Sequence, residues 1–155
     1  MAGDETESER LDRNLEQLLT ELRVAMPGVQ ILFGFLLSVP FTQRFGSVTE
    51  FQRDVYVVAL CAAGVATAFL IAPTAYHRIT FRRGEKRHLV FAASRWTIIG
   101  LAALAVAMNA SVLLVADFLF ESWITTAIVV AMAALYVGLW FLWPLARRLP
   151  GADNG

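Results

Sequence analysis

The sequence predicts an all-α membrane protein, a four-transmembrane-helix antiparallel bundle preceded by a short amphipathic cytoplasmic helix. Three observations predict it. The 155 residues are 57% hydrophobic with a mean hydropathy of +0.59, more apolar than a small soluble domain needs, and long apolar stretches mark membrane spans. The apolar residues gather into four runs, over 24–41, 55–72, 96–116 and 124–142. At about 1.5 Å of rise per residue, each approaches the roughly 30 Å of hydrocarbon that a spanning helix must cross. The charges are segregated, with seven acids and three arginines in residues 1–23 and six bases against one acid in residues 74–95.

Taken in chain order, residues 1–8 read as a disordered acidic terminus, 9–148 as one transmembrane domain, and 149–155 as a disordered polar tail. Leu11, Leu15, Leu18, Leu19 and Leu22 recur at helical spacing among Asp12, Arg13, Glu16, Glu21 and Arg23, so 9–26 reads as an amphipathic helix. Its polar face is net negative, whereas a helix built for anionic lipid is rich in Lys and Arg. It is therefore expected to dock on the basic segment over 73–95. The first apolar run holds Pro27, Gly28, Gln30 and Pro40, which predicts a kink near Pro27. Trp96, Trp123, Trp140 and Trp143 fall near the ends of the runs, where amphipathic rings favour the headgroup layer. The link over 117–122 is short enough to make the third and fourth runs an antiparallel hairpin. The acidic amino terminus lacks the basic region of a signal peptide, so the first span is expected to be retained.

Segment 73–95 reads as a basic loop that orients the chain. With both termini cytoplasmic, eleven of the thirteen bases lie inside and Arg44 and Arg53 outside, as the Lys and Arg bias of membrane proteins requires. The expected location is the cell membrane. Arg78, Arg82, Arg83, Lys86, Arg87 and Arg95 are the candidate contacts for anionic lipid or for a partner, because four to eight bases beside a span attract anionic headgroups by about 1 kcal/mol each. Arg78 and Arg95 lie nearest the apolar runs and can reach the interface along their aliphatic stems. Nucleic acid is not an expected partner, since the cluster is tethered at the membrane and no recognition module accompanies it.

Ionisable groups at membrane depth are the signposts of transport, and the centres of the runs hold only the neutral Gln30, Thr67 and Asn109. Gln30 and Asn109 are the candidate intramembrane polar contacts. Asn109 is expected to make a helix-to-helix hydrogen bond, worth about 0.6–2 kcal/mol. Asp117 and Glu121 share a helical face and read as hydrated hairpin charges. Small residues four apart in each run, Gly34 and Ser38, Gly64 and Ala68, Ala103 and Ala107, Ala134 and Gly138, predict close helix packing. No catalytic, cofactor-binding or metal residue is expected. His77 and His88 are eleven apart with only Glu85 nearby, which is not metal spacing, and no glycine-rich phosphate loop or serine elbow is present. The single cysteine, Cys61, excludes an intrachain disulfide and reads as a small hydrophobe.

The segment Glu21-Leu-Arg-Val-Ala-Met-Pro-Gly-Val-Gln-Ile-Leu-Phe-Gly-Phe-Leu-Leu-Ser-Val-Pro-Phe, followed by Ala72-Pro-Thr-Ala-Tyr-His-Arg and Phe81-Arg-Arg, resembles a family of small four-span actinobacterial membrane proteins classed as a domain of unknown function. The resemblance covers most of residues 15–145. It implies a bacterial chain, and through labels that some relatives carry it brings in sodium:proton exchange. Arg23, Pro27, Gln30, Pro40, Pro73, His77 and Arg78 fall in the motif segments and are candidate family residues with no chemistry assigned. Two function classes follow. The first is a non-enzymatic interaction or accessory protein with a charged cytoplasmic surface, working as a homo-oligomer or with a membrane-protein partner. The alternative is a small oligomeric cation or sodium:proton transporter with a path lined by Gln30, Asn109 and edge carboxylates. Such exchange calls for a titratable carboxylate at depth, and Glu21, Asp54 and Asp117 sit at the edges of the runs.

Overall fold

A computed structural model describes residues 7–80, 86–120 and 122–147, with the backbone alone at 7–9, 11, 12, 77, 80, 86–90 and 122. The first helix, α1, runs over Glu7–Ser38 without a break. The amphipathic segment expected over 9–26 and the first span are thus one helix. The cause is a single apolar stripe: Leu15, Leu22, Val29 and Leu36, seven residues apart, are at most 5% exposed and turn one continuous face of the helix toward the bundle. Pro27 lies inside α1 and does not end it. Its side chain is exposed, and the missing N–H removes one bond, to the carbonyl of Arg23.

Two 3₁₀ turns, Val39–Phe41 and Gln43–Ser47, lead into helix α2, Glu50–Thr80. Helix α3 follows over Lys86–Leu119 and α4 over Ser122–Val137. A π-helical turn, Gly138–Leu142, carries α4 into the short helix α5, Trp143–Ala146. In that turn the N–H of Trp143 bonds the carbonyl of Gly138. The wider spacing accommodates Pro144, which cannot donate to the carbonyl of Trp140 and whose ring would crowd it. Among the described residues there is no strand. Four stretches, Arg13–Phe41, Glu50–Tyr76, Phe91–Leu119 and Trp123–Ala146, are long and apolar enough to cross a membrane.

The basic loop expected over 73–95 is mostly helix. α2 continues past Pro73 to Thr80 and α3 begins at Lys86; residues 81–85 lie outside the described residues. Packing explains the extension. Pro73 is fully buried, Ala93 is 0% exposed and Tyr76 packs on Trp96, so the two helices keep contact with neighbours beyond the expected ends of their apolar runs.

Consecutive helices are antiparallel. Tyr56 of α2 meets Leu36 of α1, Tyr76 of α2 meets Trp96 of α3, Gln52 of α2 meets Asp117 of α3, and Thr125 of α4 meets Ala116 of α3. α2 and α3 form the tightest seam. Tyr56, Ala59, Ala63, Ala66, Leu70 and Pro73 alternate at three and four residues and are all buried, the spacing of a coiled-coil face. α3 offers the buried Ala93, Gly100, Leu104 and Ala107. Small residues bring the backbones close. A Cβ at Gly100 would stand only 2.8 Å from Cδ2 of Leu70. Of the expected small-residue pairs, Ala107 sits in this seam, while Gly34 and Gly138 face open space. Leu22, Val29, Ala66, Leu70 and Leu104 join α1, α2 and α3 in one apolar cluster, against which Trp140 also packs. The buried hydroxyls of Tyr56 and Thr125 bond carbonyls of neighbouring helices, and half-buried ones are met within their own helices. Thr67 Oγ1 donates to Ala63 O at 2.8 Å and Ser111 Oγ to Ala107 O at 2.8 Å, as a helix in lipid requires.

Candidate functional site

The antiparallel order collects chemistry at two ends. At one end stand the amino-terminal half of α1, the end of α2, the start of α3 and the end of α5. Each contributes an exposed arginine there: Arg23, Arg78, Arg95 and Arg147. The exposed Glu16 and Glu21 lie in the part of α1 that shares this end. Tyr76 and Trp96 pack edge to face with ring centroids 5.6 Å apart. They lie beside Arg78 and Arg95 and clamp the two arginine-bearing turns to each other. The guanidinium of Arg147 lies over the ring of Trp143 at 5.5 Å, an arrangement in which the aromatic face attracts the cation. Of the remaining basic candidates, Arg82 and Arg83 lie outside the described residues, and so do the side chains of Lys86, Arg87 and His77.

The membrane interior does not unite its polar candidates. Gln30 is exposed on the outward face of α1. Asn109 lies seven residues before Ala116, on the same face of α3, and Ala116 accepts the hydroxyl of Thr125 from α4; this face therefore meets α4. The Oδ1 of Asn109 is buried there without a hydrogen-bond partner, so the expected helix-to-helix bond from that oxygen is not made. Of the motif prolines, Pro40 is exposed in the first 3₁₀ turn, Pro27 is exposed on α1 and Pro73 is buried in the α2 seam. Cys61 is exposed on α2. Among the described residues no three His, Cys, Asp or Glu come together as a metal site.

The opposite end is more highly ordered than its sequence suggests. Thr49 and Gln52 close α2 reciprocally: the N–H of Gln52 donates to Thr49 Oγ1 and the N–H of Thr49 donates to Gln52 Oε1, both at 3.2 Å. This is the capping box of a Thr-x-x-Gln start. The same Gln52 donates through Nε2 to Asp117 Oδ2 at 2.9 Å, so one side chain caps α2 and ties α2 to α3. Tyr56 OH donates to Leu36 O at 3.0 Å and stacks edge to face with Phe45 at 5.1 Å, which fixes the 3₁₀ turns against the bundle. Arg44 lies over the ring of Phe118 at 5.3 Å. Between the turns and the end of α3 is an open apolar cleft of about 290 Å³, lined by Val39, Phe45, Val48, Leu114, Val115 and Phe118, with Arg44 and Gln52 at its edge. Gln52 and Arg44 were not among the sequence candidates. The Thr49-x-x-Gln52 spacing ahead of an apolar run was the available signal for the first; nothing local signals the second.

A family model described as a family of unknown function (DUF6328) matches residues 4–144. No curated protein and no solved structure matches the chain.

Proposed function

We propose a non-enzymatic docking role in the membrane for this chain, which belongs to the DUF6328 family of unknown function. One observation carries the reading: three helices are longer than a membrane requires, and their excess lies at the arginine-bearing end. α1, α2 and α3 hold 32, 31 and 34 residues, or about 48, 46 and 51 Å at 1.5 Å per residue, against about 30 Å of hydrocarbon. At the hairpin end the spans stop close to the charged residues Arg44, Glu50, Asp54 and Asp117. The surplus helix is therefore a packed, charged platform that presents Glu16, Glu21, Arg78 and Arg95 beyond the bilayer. Rigid helices that carry exposed charges of both signs suit the recognition of another protein, where charge complementarity sets partner and orientation. The Lys and Arg bias supports a cytoplasmic platform, with both termini inside the cell membrane.

Purification of the full chain in mild detergent tests this. A stoichiometric membrane-protein partner is expected in the wild type and is lost when Arg78→Glu and Arg95→Glu are combined. A pH-dependent cation flux in proteoliposomes, abolished by Asp117→Asn, would overturn the docking role in favour of transport.

A further inference from the structure

The cleft at the hairpin end plays no part in docking at the platform. We propose that it holds one anionic phospholipid, with an acyl chain along the apolar groove and the phosphate at Arg44. Position is the first argument. The groove lies where the spans end, with apolar Leu114, Val115 and Phe118 of α3 on one side and Val39, Phe45 and the charged Arg44 of the 3₁₀ segment on the other, which is the depth at which hydrocarbon gives way to headgroups.

Order is the second. One wall is the 3₁₀ segment, and it is held from several directions. Thr42 N–H and Oγ1 both donate to Val39 O, at 3.1 and 2.7 Å, Phe45 N–H donates to Thr42 O at 3.1 Å, and Ser47 Oγ donates to Arg44 O at 2.9 Å. The ring of Phe45 is set against Tyr56. The other wall is helix α3. A groove formed in advance loses little freedom when a chain enters it, and about 290 Å³ lies near the lower end of pockets that hold small ligands, enough for a stretch of one acyl chain.

Charge is the third. The guanidinium of Arg44 has no carboxylate partner among the described residues and lies over the ring of Phe118. Stacking on that ring orients the guanidinium and leaves its N–H fork free, a geometry that matches phosphate oxygens. No acid lines the cleft, and Asp117, next in sequence to the lining Phe118, is already engaged by Gln52. A single cation over an apolar groove fits a negatively charged amphiphile better than a zwitterionic one, whose own ammonium competes for the phosphate.

Native mass spectrometry of the full chain, with phosphatidylglycerol or phosphatidylcholine of identical acyl chains added to the detergent, tests the site. One phosphatidylglycerol is expected to remain bound at higher occupancy than phosphatidylcholine. Arg44→Gln is expected to weaken its retention about tenfold, the loss of one charge-assisted hydrogen bond. Val115→Trp, which fills the groove, should remove retention of both lipids. Arg44 is exposed, so its substitution leaves the packing intact and keeps the test valid if the Trp variant fails to fold. Equal occupancy of the two lipids, retention unaffected by Arg44→Gln, or retention lost instead in Arg78→Gln and Arg95→Gln would each overturn the proposal.

Discussion

The hydroxyl of Tyr56 donates to the carbonyl of Leu36 at 3.0 Å in a buried contact between α2 and α1. Pro40 is the reason that carbonyl is available. It stands four residues after Leu36 and has no N–H to give it. Tyr56 supplies the missing donor from the neighbouring helix, and an end of α1 that would be an orphan in the bilayer becomes a fastening point for the bundle. Tyr56→Phe should therefore lower stability in detergent by about 1–3 kcal/mol, the cost of leaving a buried acceptor unsatisfied. Adding Pro40→Ala, which restores a backbone donor, should recover part of the loss; thermal unfolding of the two variants measures both.

Gly100 admits no side chain. A Cβ there would meet Cδ2 and Cγ of Leu70 at 2.8 Å, and Leu70 is 0% exposed with nowhere to move. Gly100→Ala is expected to cost about 1–3 kcal/mol through overpacking, and Leu70→Ala in the same chain should relieve it. Gly64 provides the control: the nearest atom to its added Cβ is Phe33 Cε2 at 3.7 Å, ordinary contact. Gly64→Ala should be neutral or stabilising by up to about 1 kcal/mol, the helix-propensity gain. Unfolding midpoints of the three variants decide it.

Gln52 serves two helices through one side chain. Gln52→Leu loses the capping box and the bond to Asp117 together, and a loss of about 1–3 kcal/mol is expected. Asp117→Asn keeps an acceptor oxygen for Gln52 and should cost much less. A double-mutant cycle with Gln52→Leu and Asp117→Ala, each of which removes the bond, should give a coupling of about 0.5–3 kcal/mol.

Asn109 leaves a buried oxygen without a partner. Replacing it with an apolar residue of similar size removes that cost, so Asn109→Leu should keep or raise the unfolding midpoint. A destabilised Asn109→Leu variant would show that the amide is engaged in the assembled membrane protein.

The four spans were legible because hydropathy is a local property: Val55 to Ala72 and Trp96 to Ala116 announce themselves without reference to any neighbour. Helix continuity was not. Pro27 read as a kink within the first helix and Pro73 as the start of a loop, and α1 and α2 pass through both, because the burial of Leu22, Val29 and Leu70 nearby outweighs one missing hydrogen bond. The packed faces were also hidden. In helices apolar on all sides the sequence does not mark which side meets protein and which meets lipid. The small-residue pairs chosen at a spacing of four included Gly34 and Gly138, which face open space, and missed the Ala59, Ala63, Ala66 seam. The Gln52 and Asp117 bond joins residues 65 apart, a distance at which no local pattern operates. The arginine-bearing end was legible in charge alone; its clamp, Tyr76 on Trp96, was not, because Trp96 read only as an interfacial aromatic and nothing local marks Tyr76 as its partner.

The docking role requires the arginine-bearing platform to face the cytoplasm. In a Cys61→Ala background, a cysteine introduced at Gly84 should resist an impermeant thiol reagent in intact cells and react only after permeabilisation, while one at Ser47 should label directly. Labelling at Gly84 in intact cells, with Ser47 protected, would contradict it.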